Sequence, residues 1–157
     1  MQTEKPISDY ERERGKPIPS KLHSVAQTNL LIQLAEYRPR FQVLSELTLR
    51  LGDRDLTPDL CLYGDLEIDF TKDESQVTEP PLLAVEIASP TQSVQDLVDK
   101  IRYLTEHGVR SCWLVQPPLR TITVFTESME SSTYDRGTVT DPVTEIEVDL
   151  DEAFATP

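Results

Sequence analysis

The 157-residue chain has few cysteines, few basic residues and no long hydrophobic run. Cys61 and Cys112 both lie in apolar, strand-like stretches, so we expect small buried side chains and no disulfide framework. Two cysteines and two distant histidines offer none of the closely spaced ligand pairs of a structural zinc site. The longest apolar runs are of the LLAVEIA kind, and the first ten residues lack an apolar signal core. We therefore expect a cytoplasmic protein without a membrane span.

The shortage of basic residues limits the partners that the chain can bind. There are 15 Lys and Arg against 28 Asp and Glu, which gives a formal net charge of −13. Residues 1–50 hold 8 basic and 6 acidic side chains, residues 51–120 hold 6 and 13, and residues 121–157 hold 1 and 9. Proteins that bind nucleic acids usually carry a basic excess, since phosphate contacts supply most of the sequence-independent affinity. A polyanionic partner would have to contact the N-terminal third or a bridging metal ion.

The length fits one domain with its own core, because a chain of about 150 residues buries roughly 70% of the surface that its unfolded form exposes. We expect a single domain over residues 1–157, in which residues 1–19 form an N-terminal arm. Residues 20–126 form the core of that domain, and residues 127–157 form an acidic C-terminal extension with an edge strand over 144–150.

Hydrophobic periodicity predicts the first elements of the core. A helix over 21–37, capped by Ser20, has an apolar stripe with members three or four residues apart. The alternating run over 41–52 predicts one strand, which turns at Gly52-Asp53 into a shorter strand over 58–64 to form a hairpin. The stripe of the helix consists of Leu22, Ala26, Leu30, Leu34 and Tyr37.

The later elements predict a crossover connection between two strands. The apolar run over 82–89 is typical of a strand buried on both faces. A helix over 94–107 follows, capped by Ser93, with Val94, Leu97, Val98, Ile101 and Leu104 in its stripe. Two further strands lie within 111–127, on either side of 116–119. Together these elements predict an α/β or α+β fold with a central mixed sheet flanked by helices.

Glu86 is the most informative residue, because a carboxylate in a buried strand costs several kcal/mol unless another group compensates its charge. Alternation places Leu82, Ala84, Glu86 and Ala88 on one face of the strand, so the compensating group must come from elsewhere in the fold. A metal ion or a lysine would serve. The alternative is a strand end at which Glu86 reaches solvent or pairs with an arginine.

Two further residues complete a candidate constellation with Glu86. Asp59 follows Pro58 at the start of the second strand, although a Pro-Asp pair usually only opens a turn or a strand. Lys100 lies at the border of the stripe of its helix, where its ammonium group either extends to solvent or reaches a carboxylate on the sheet. Two carboxylates and a lysine would provide an oxygen-ligand site for Mg²⁺ or Mn²⁺ and a cation that orients or deprotonates the attacking water.

The runs TPDLCLYG, LLAVEIASP, DLVDKIRYLTEHGV and SCWLVQPPLRTITVF resemble, in order and spacing, the Uma-two family of restriction-endonuclease-like proteins. The resemblance spans residues 20–126 and implies a restriction-endonuclease-like core of the PD-(D/E)-x-K nuclease superfamily. It places the PD motif on Pro58-Asp59 and the acidic strand residue on Glu86, so that Asp59 and Glu86 would bind the metal ion. The superfamily's lysine two positions after the glutamate is absent, since residue 88 is Ala, and Lys100 on the following helix matches instead.

Four residues are secondary candidates for the same site. The resemblance aligns Glu46 with an acidic residue on the preceding strand, where it would be a third ligand or remain on a solvated face. His23 and Gln27 lie on one side of the first helix and could line the cleft, although a lone histidine is more often structural. Ser89 is expected to end its strand and not to contact substrate.

The leading hypothesis is a Mg²⁺- or Mn²⁺-dependent endonuclease that hydrolyses DNA, with Asp59, Glu86 and Lys100 as catalytic residues. The superfamily often works as dimers, so a homodimer could address two strands. RNA as the substrate is not separated from DNA by the sequence. The alternative is a catalytically inactive nuclease-fold domain that binds protein as an interaction or regulatory module, for which the acidic C-terminal third would be a natural surface.

Overall fold

A six-stranded mixed sheet forms the centre of the molecule in the computed structural model, which describes residues 18–156. Only one pair of neighbouring strands in this sheet, β5 (Leu83–Ile87) and β6 (Ser111–Gln116), runs parallel, and the other neighbours are antiparallel. This arrangement confirms the expected central mixed sheet. In spatial order the strands are β1 (Gln42–Ser45), β4 (Leu60–Tyr63), β5 (Leu83–Ile87), β6 (Ser111–Gln116), β7 (Thr121–Thr126) and β8 (Ser131–Tyr134).

Two helices flank the sheet and begin where their caps predict. Helix α1 (Lys21–Ala35) starts after Ser20, whose side chain accepts a hydrogen bond from the His23 backbone N–H at 3.2 Å. Helix α2 (Val94–Glu106) starts after Ser93, whose hydroxyl accepts from the Asp96 N–H at 3.0 Å. Because α2 connects the parallel strands β5 and β6, the predicted crossover is confirmed. None of the helices in the described part of the chain is long and apolar enough to cross a lipid bilayer.

The sheet separates two hydrophobic clusters. The α1-side core contains Leu60, Val85 and Trp113 of the sheet together with buried residues of α1. The α2-side core contains alternate sheet residues such as Ala84 and Leu114 with Leu97, Ile101 and Leu104 of α2. Both cysteines are buried in the α2-side core, as expected. Strand alternation therefore directs every second side chain of β5 and β6 toward each helix.

The ends of the predicted helix stripes are wrong. Leu22 is 50% exposed and Val94 is 53% exposed, although both were expected in the core. Each lies in the first turn of its helix. Burial begins at the next residue, His23, in α1 and about one turn later, at Leu97, in α2.

The single strand predicted over 41–52 is interrupted in the structure. Strand β1 ends at Ser45, and Glu46 has a left-handed backbone with φ of 51°. The chain then leaves the main sheet and forms a separate hairpin from β2 (Leu49–Leu51) and β3 (Arg54–Leu56) around Gly52, whose φ is 63°. Strands β1 and β4 still pair antiparallel as predicted, with this hairpin inserted between them.

The C-terminal segment over 138–153 packs against α1. A short sheet of β9 (Thr138–Thr140) and β10 (Glu147–Asp149) precedes the four-residue helix α3 (Leu150–Ala153). The predicted edge strand is therefore β10, which pairs with β9 and not with the main sheet. Val139, Val148 and Leu150 belong to the α1-side core, so this acidic segment also contributes to the hydrophobic core.

Asp141 fixes this segment to the sheet. Its Oδ1 accepts hydrogen bonds from the Ser111 hydroxyl and, at 3.0 Å, from the Trp113 indole N–H. Its Oδ2 accepts from the Val143 and Thr144 N–H groups at 3.2 and 2.8 Å and from the Thr144 hydroxyl at 2.8 Å. Asp141 is fully buried, and the carboxylate is satisfied by donors alone.

Replacing Asp141 with asparagine is expected to destabilise the fold by about 2–4 kcal/mol, because the amide N–H₂ would face hydrogen-bond donors whichever way it turned. Urea unfolding followed by circular dichroism measures the change. Asp151→Asn, at an exposed position of α3, is the control and should change stability by less than about 0.5 kcal/mol. Equal stabilities of the two variants would contradict this role of Asp141.

Candidate active site

Glu86 lies in β5, one of the two middle strands of the sheet, and is 2% exposed. Strand alternation places Glu86 on the same face of β5 as Ala84, and Leu114 of β6 lies opposite it. Ala84 and Leu114 both belong to the α2-side core. Lys100 of α2 reaches it from above this face, and its Nζ lies 2.8 Å from Oε1 of Glu86. The lysine side chain is 18% exposed, so the ion pair is largely shielded from water. The structure thus brings together the carboxylate that needed compensation and the lysine that the sequence singled out.

The pKa of the Cys112 thiol depends on the charges of this pair. Burial raises the pKa of Cys112, and the negative charges of Glu86 and Asp141 raise it further, whereas Lys100 acts in the opposite direction. Both members of the Glu86–Lys100 pair are therefore close enough to Cys112 for their charges to matter. This agrees with a location on the α2 side of β5 and β6.

Asp59 lies beside Glu86 across neighbouring strands. The antiparallel register pairs Leu60 with Val85, and Asp59 is the residue immediately before this pair. Its backbone N–H donates to the Val85 carbonyl at 3.1 Å, which continues the ladder. Its Oδ2 accepts the Ile87 N–H at 2.7 Å, so the carboxylate lies at the peptide group that links Glu86 to Ile87.

The carboxylate of Asp59 is contacted by α1. Its Oδ1 lies 3.1 Å from Nε2 of His23, and both side chains are 2% exposed. Asp59 itself directly precedes Leu60, the first residue of β4. The two carboxylates are therefore contacted by different helices, Asp59 by α1 and Glu86 by α2.

Two of the secondary candidates contact the backbone of Asp59. Its carbonyl oxygen accepts from Nε2 of Gln27 at 3.2 Å and from the backbone N–H of Glu46 at 3.0 Å. Glu46 is half-buried at the end of β1, where its left-handed backbone redirects the chain. Together with His23, these residues surround Asp59 on the side of α1 and β1.

Ser89 lies in the turn that follows β5 and is buried. Its backbone N–H donates to Oε1 of Gln92 at 3.1 Å, and its carbonyl accepts the Gln92 N–H at 3.0 Å. These bonds belong to the turn that leads into α2, so Ser89 ends the strand that carries Glu86.

The ligand atoms that the site offers are those that a hard cation prefers. Asp59 and Glu86 supply carboxylate oxygens, which Mg²⁺ and Mn²⁺ prefer. A carboxylate has about four lone-pair sites, and the bonds from His23 and Ile87 use one on each oxygen of Asp59. Within residues 18–156 no cluster of three or more His, Cys, Asp or Glu side chains is arranged to hold a metal ion. Two carboxylates nevertheless suffice for Mg²⁺, which usually keeps several of its waters.

Sequence reasoning missed the Ile87 N–H, which holds Oδ2 of Asp59. A backbone donor has no signature in residue types. Only the register of β4 against β5 places Ile87 next to Asp59, and this register follows from pairing Leu60 with Val85.

Comparison with known proteins identifies the class to which this fold belongs. The structure is similar to that of "a putative nuclease belonging to DUF820" from Anabaena variabilis ATCC 29413, with a TM-score of 0.77 and 22% sequence identity. The match covers 88% of this chain and 83% of the other. A weaker similarity, with a TM-score of 0.42 and 15% identity over 94% of this chain and 82% of the other, is to a DrdV–DNA complex. No curated protein matches the sequence. The fold is thus that of a nuclease structure.

Residues 1–153 match the model of the Uma2 family, which is described as "Putative restriction endonuclease". The chain belongs to this family, and the resemblance noted from the sequence is confirmed. Membership of the Uma2 family supports a nuclease function for the chain.

Proposed function

We propose that the protein is a divalent-metal-dependent endonuclease that hydrolyses DNA phosphodiester bonds. The observation that carries the proposal is the buried Lys100–Glu86 contact of 2.8 Å, one strand away from the buried carboxylate of Asp59. Membership of the Uma2 family supports the reaction class. The three groups have the chemistry that phosphodiester cleavage requires, because negative charge increases on the phosphate in the transition state.

Asp59 and Glu86 are the residues that would hold Mg²⁺ or Mn²⁺. When bound, the ion would supply a Lewis acid that polarises the phosphate. His23 and the Ile87 N–H fix the carboxylate of Asp59, and Lys100 fixes that of Glu86. The Lys100 ammonium group, held 2.8 Å from Glu86, donates hydrogen bonds that would orient the attacking water. Its positive charge also compensates part of the negative charge of the two carboxylates.

Nicking of supercoiled plasmid DNA tests this proposal. We expect wild-type protein to nick the plasmid with Mg²⁺ or Mn²⁺ and to lose this activity in EDTA. A homodimer with one site on each strand would convert part of the nicked plasmid to linear DNA. Activity should be low at physiological salt, because the chain offers few cationic contacts to phosphate. A folded wild-type protein without metal-dependent nicking would overturn the proposal, and so would equal nicking by Asp59→Asn.

The loop over 66–79 favours a second candidate, an interaction domain that keeps the nuclease fold. This loop lines an open groove of about 1130 Å³, where Phe70 is fully exposed. Its acidic side chains outnumber the single Lys72: they are Glu67, Asp69, Asp73, Glu74 and Glu79. Mn²⁺ should raise the melting temperature of an active nuclease, because only the folded protein assembles the ligands. An interaction domain without a metal site would show no such shift.

A further inference from the structure

His23 makes a contact that its place on a buried helix face does not require. It is 2% exposed, and its Nε2 lies 3.1 Å from Oδ1 of Asp59, a carboxylate that is equally buried. Since an ionised carboxylate accepts hydrogen bonds and cannot donate them, the imidazole proton of this contact belongs on Nε2. The contact is therefore a directional hydrogen bond from α1 to the start of β4.

The other ring nitrogen of His23, Nδ1, makes no hydrogen bond within residues 18–156 that would explain why a histidine lies here. Nδ1 is buried and has no hydrogen-bond partner in the part of the chain that the structure describes. A buried polar atom without a partner costs free energy, so a histidine kept only for packing would be replaced by leucine at a gain. The polar contacts of this imidazole are concentrated on the one bond to Asp59.

Asp59 is held at both oxygens by donors of fixed position. The Ile87 N–H donates to Oδ2 at 2.7 Å, and His23 lies at Oδ1. Two donors at opposite oxygens restrict the orientation of the carboxylate. The Ile87 donor is a backbone group, whereas His23 is a side chain and can be replaced without changing the strand.

We propose that His23 is a positioning residue, which orients the carboxylate of Asp59 for binding a divalent cation. The proposal rests on the proposed function, since it assigns Asp59 to the metal site. Groups that orient metal ligands typically change metal affinity or activity by roughly 10- to 100-fold when they are removed. His23 does not touch the ion or the substrate in this account and acts through Asp59.

Three variants separate positioning from packing. His23→Leu fills a similar volume without a donor, whereas His23→Gln keeps an N–H donor at the end of its side chain. The control is Gln33→Leu, a buried residue of the same helix whose side chain bonds the Asp149 backbone in two directions, at 3.1 and 2.7 Å. All three substitutions affect the packing of α1, but only those at His23 affect Asp59.

Titration calorimetry with Mn²⁺ and urea unfolding of each protein provide the two readouts. We expect His23→Leu to weaken Mn²⁺ binding by at least about 10-fold, His23→Gln to restore it to within about 3-fold, and Gln33→Leu to leave it unchanged. Loss of stability without loss of Mn²⁺ affinity in His23→Leu would overturn the proposal. Wild-type protein that binds no Mn²⁺ would instead overturn the proposed function itself.

Discussion

Replacing Glu86 with glutamine is expected to lower the rate of plasmid nicking by roughly 10²- to 10³-fold, the usual effect of removing one group that stabilises charge in a transition state. Glutamine has nearly the shape of glutamate but only one acceptor oxygen and no negative charge. It therefore cannot replace a carboxylate ligand or retain the ion pair with Lys100. The rate is measured in the presence of Mn²⁺ under single-turnover conditions.

Glu127→Gln is the matched control for this prediction. Glu127 is 56% exposed and pairs with Arg110 at 3.3 Å, so its replacement should leave the nicking rate within about 2-fold, as expected for an exposed ion pair. Asp59→Asn should behave like Glu86→Gln. If Glu86→Gln nicks as fast as Glu127→Gln, Glu86 is not part of the catalytic site.

Replacing Lys100 with methionine is expected to destabilise the protein by about 2–4 kcal/mol, because it leaves the charge of Glu86 buried without its partner. The effect should lie toward the lower part of the range seen for buried pairs, since the lysine side chain keeps 18% exposure. Guanidinium unfolding, followed by circular dichroism, measures the loss.

A double-mutant cycle tests whether this loss comes from the ion pair. Combining Lys100→Met with Glu86→Leu should recover at least half of the loss, because both charges are then absent. Arg102→Met, two residues away on α2, removes an exposed ion pair to Asp99 and should cost less than about 1 kcal/mol. If Lys100→Met destabilises the protein no more than Arg102→Met does, the Lys100–Glu86 pair contributes no more to stability than an exposed ion pair.

The sequence predicts the central part of the fold well because local signals and tertiary packing agree there. Ser20 and Ser93 cap their helices as expected, and the apolar run around Glu86 forms a strand buried on both faces. A buried strand with one carboxylate also predicts that a compensating cation must approach it. Lys100 does so because α2 crosses the face of the sheet to which Glu86 points.

Other features depend on tertiary contacts that residue patterns do not encode. The alternation over 41–52 continues through Glu46, but the left-handed backbone there moves the following residues into a second hairpin. The contact of Asp59 with His23 depends on how α1 packs against the start of β4, which the residue pattern does not encode. The burial of Asp141 requires donors from its own turn and from β6, which lies 28 to 30 residues away from Asp141 in the chain.

Titration calorimetry of Mn²⁺ into the metal-free wild-type protein, Asp59→Asn and Glu86→Gln tests most directly whether the two carboxylates serve one ion. We predict saturable binding to the wild type and a loss of at least about 10-fold in affinity in each variant, since each removes one of two protein ligands. Wild-type affinity in both variants, with all three proteins folded, would contradict the assignment of Asp59 and Glu86 to a shared metal site.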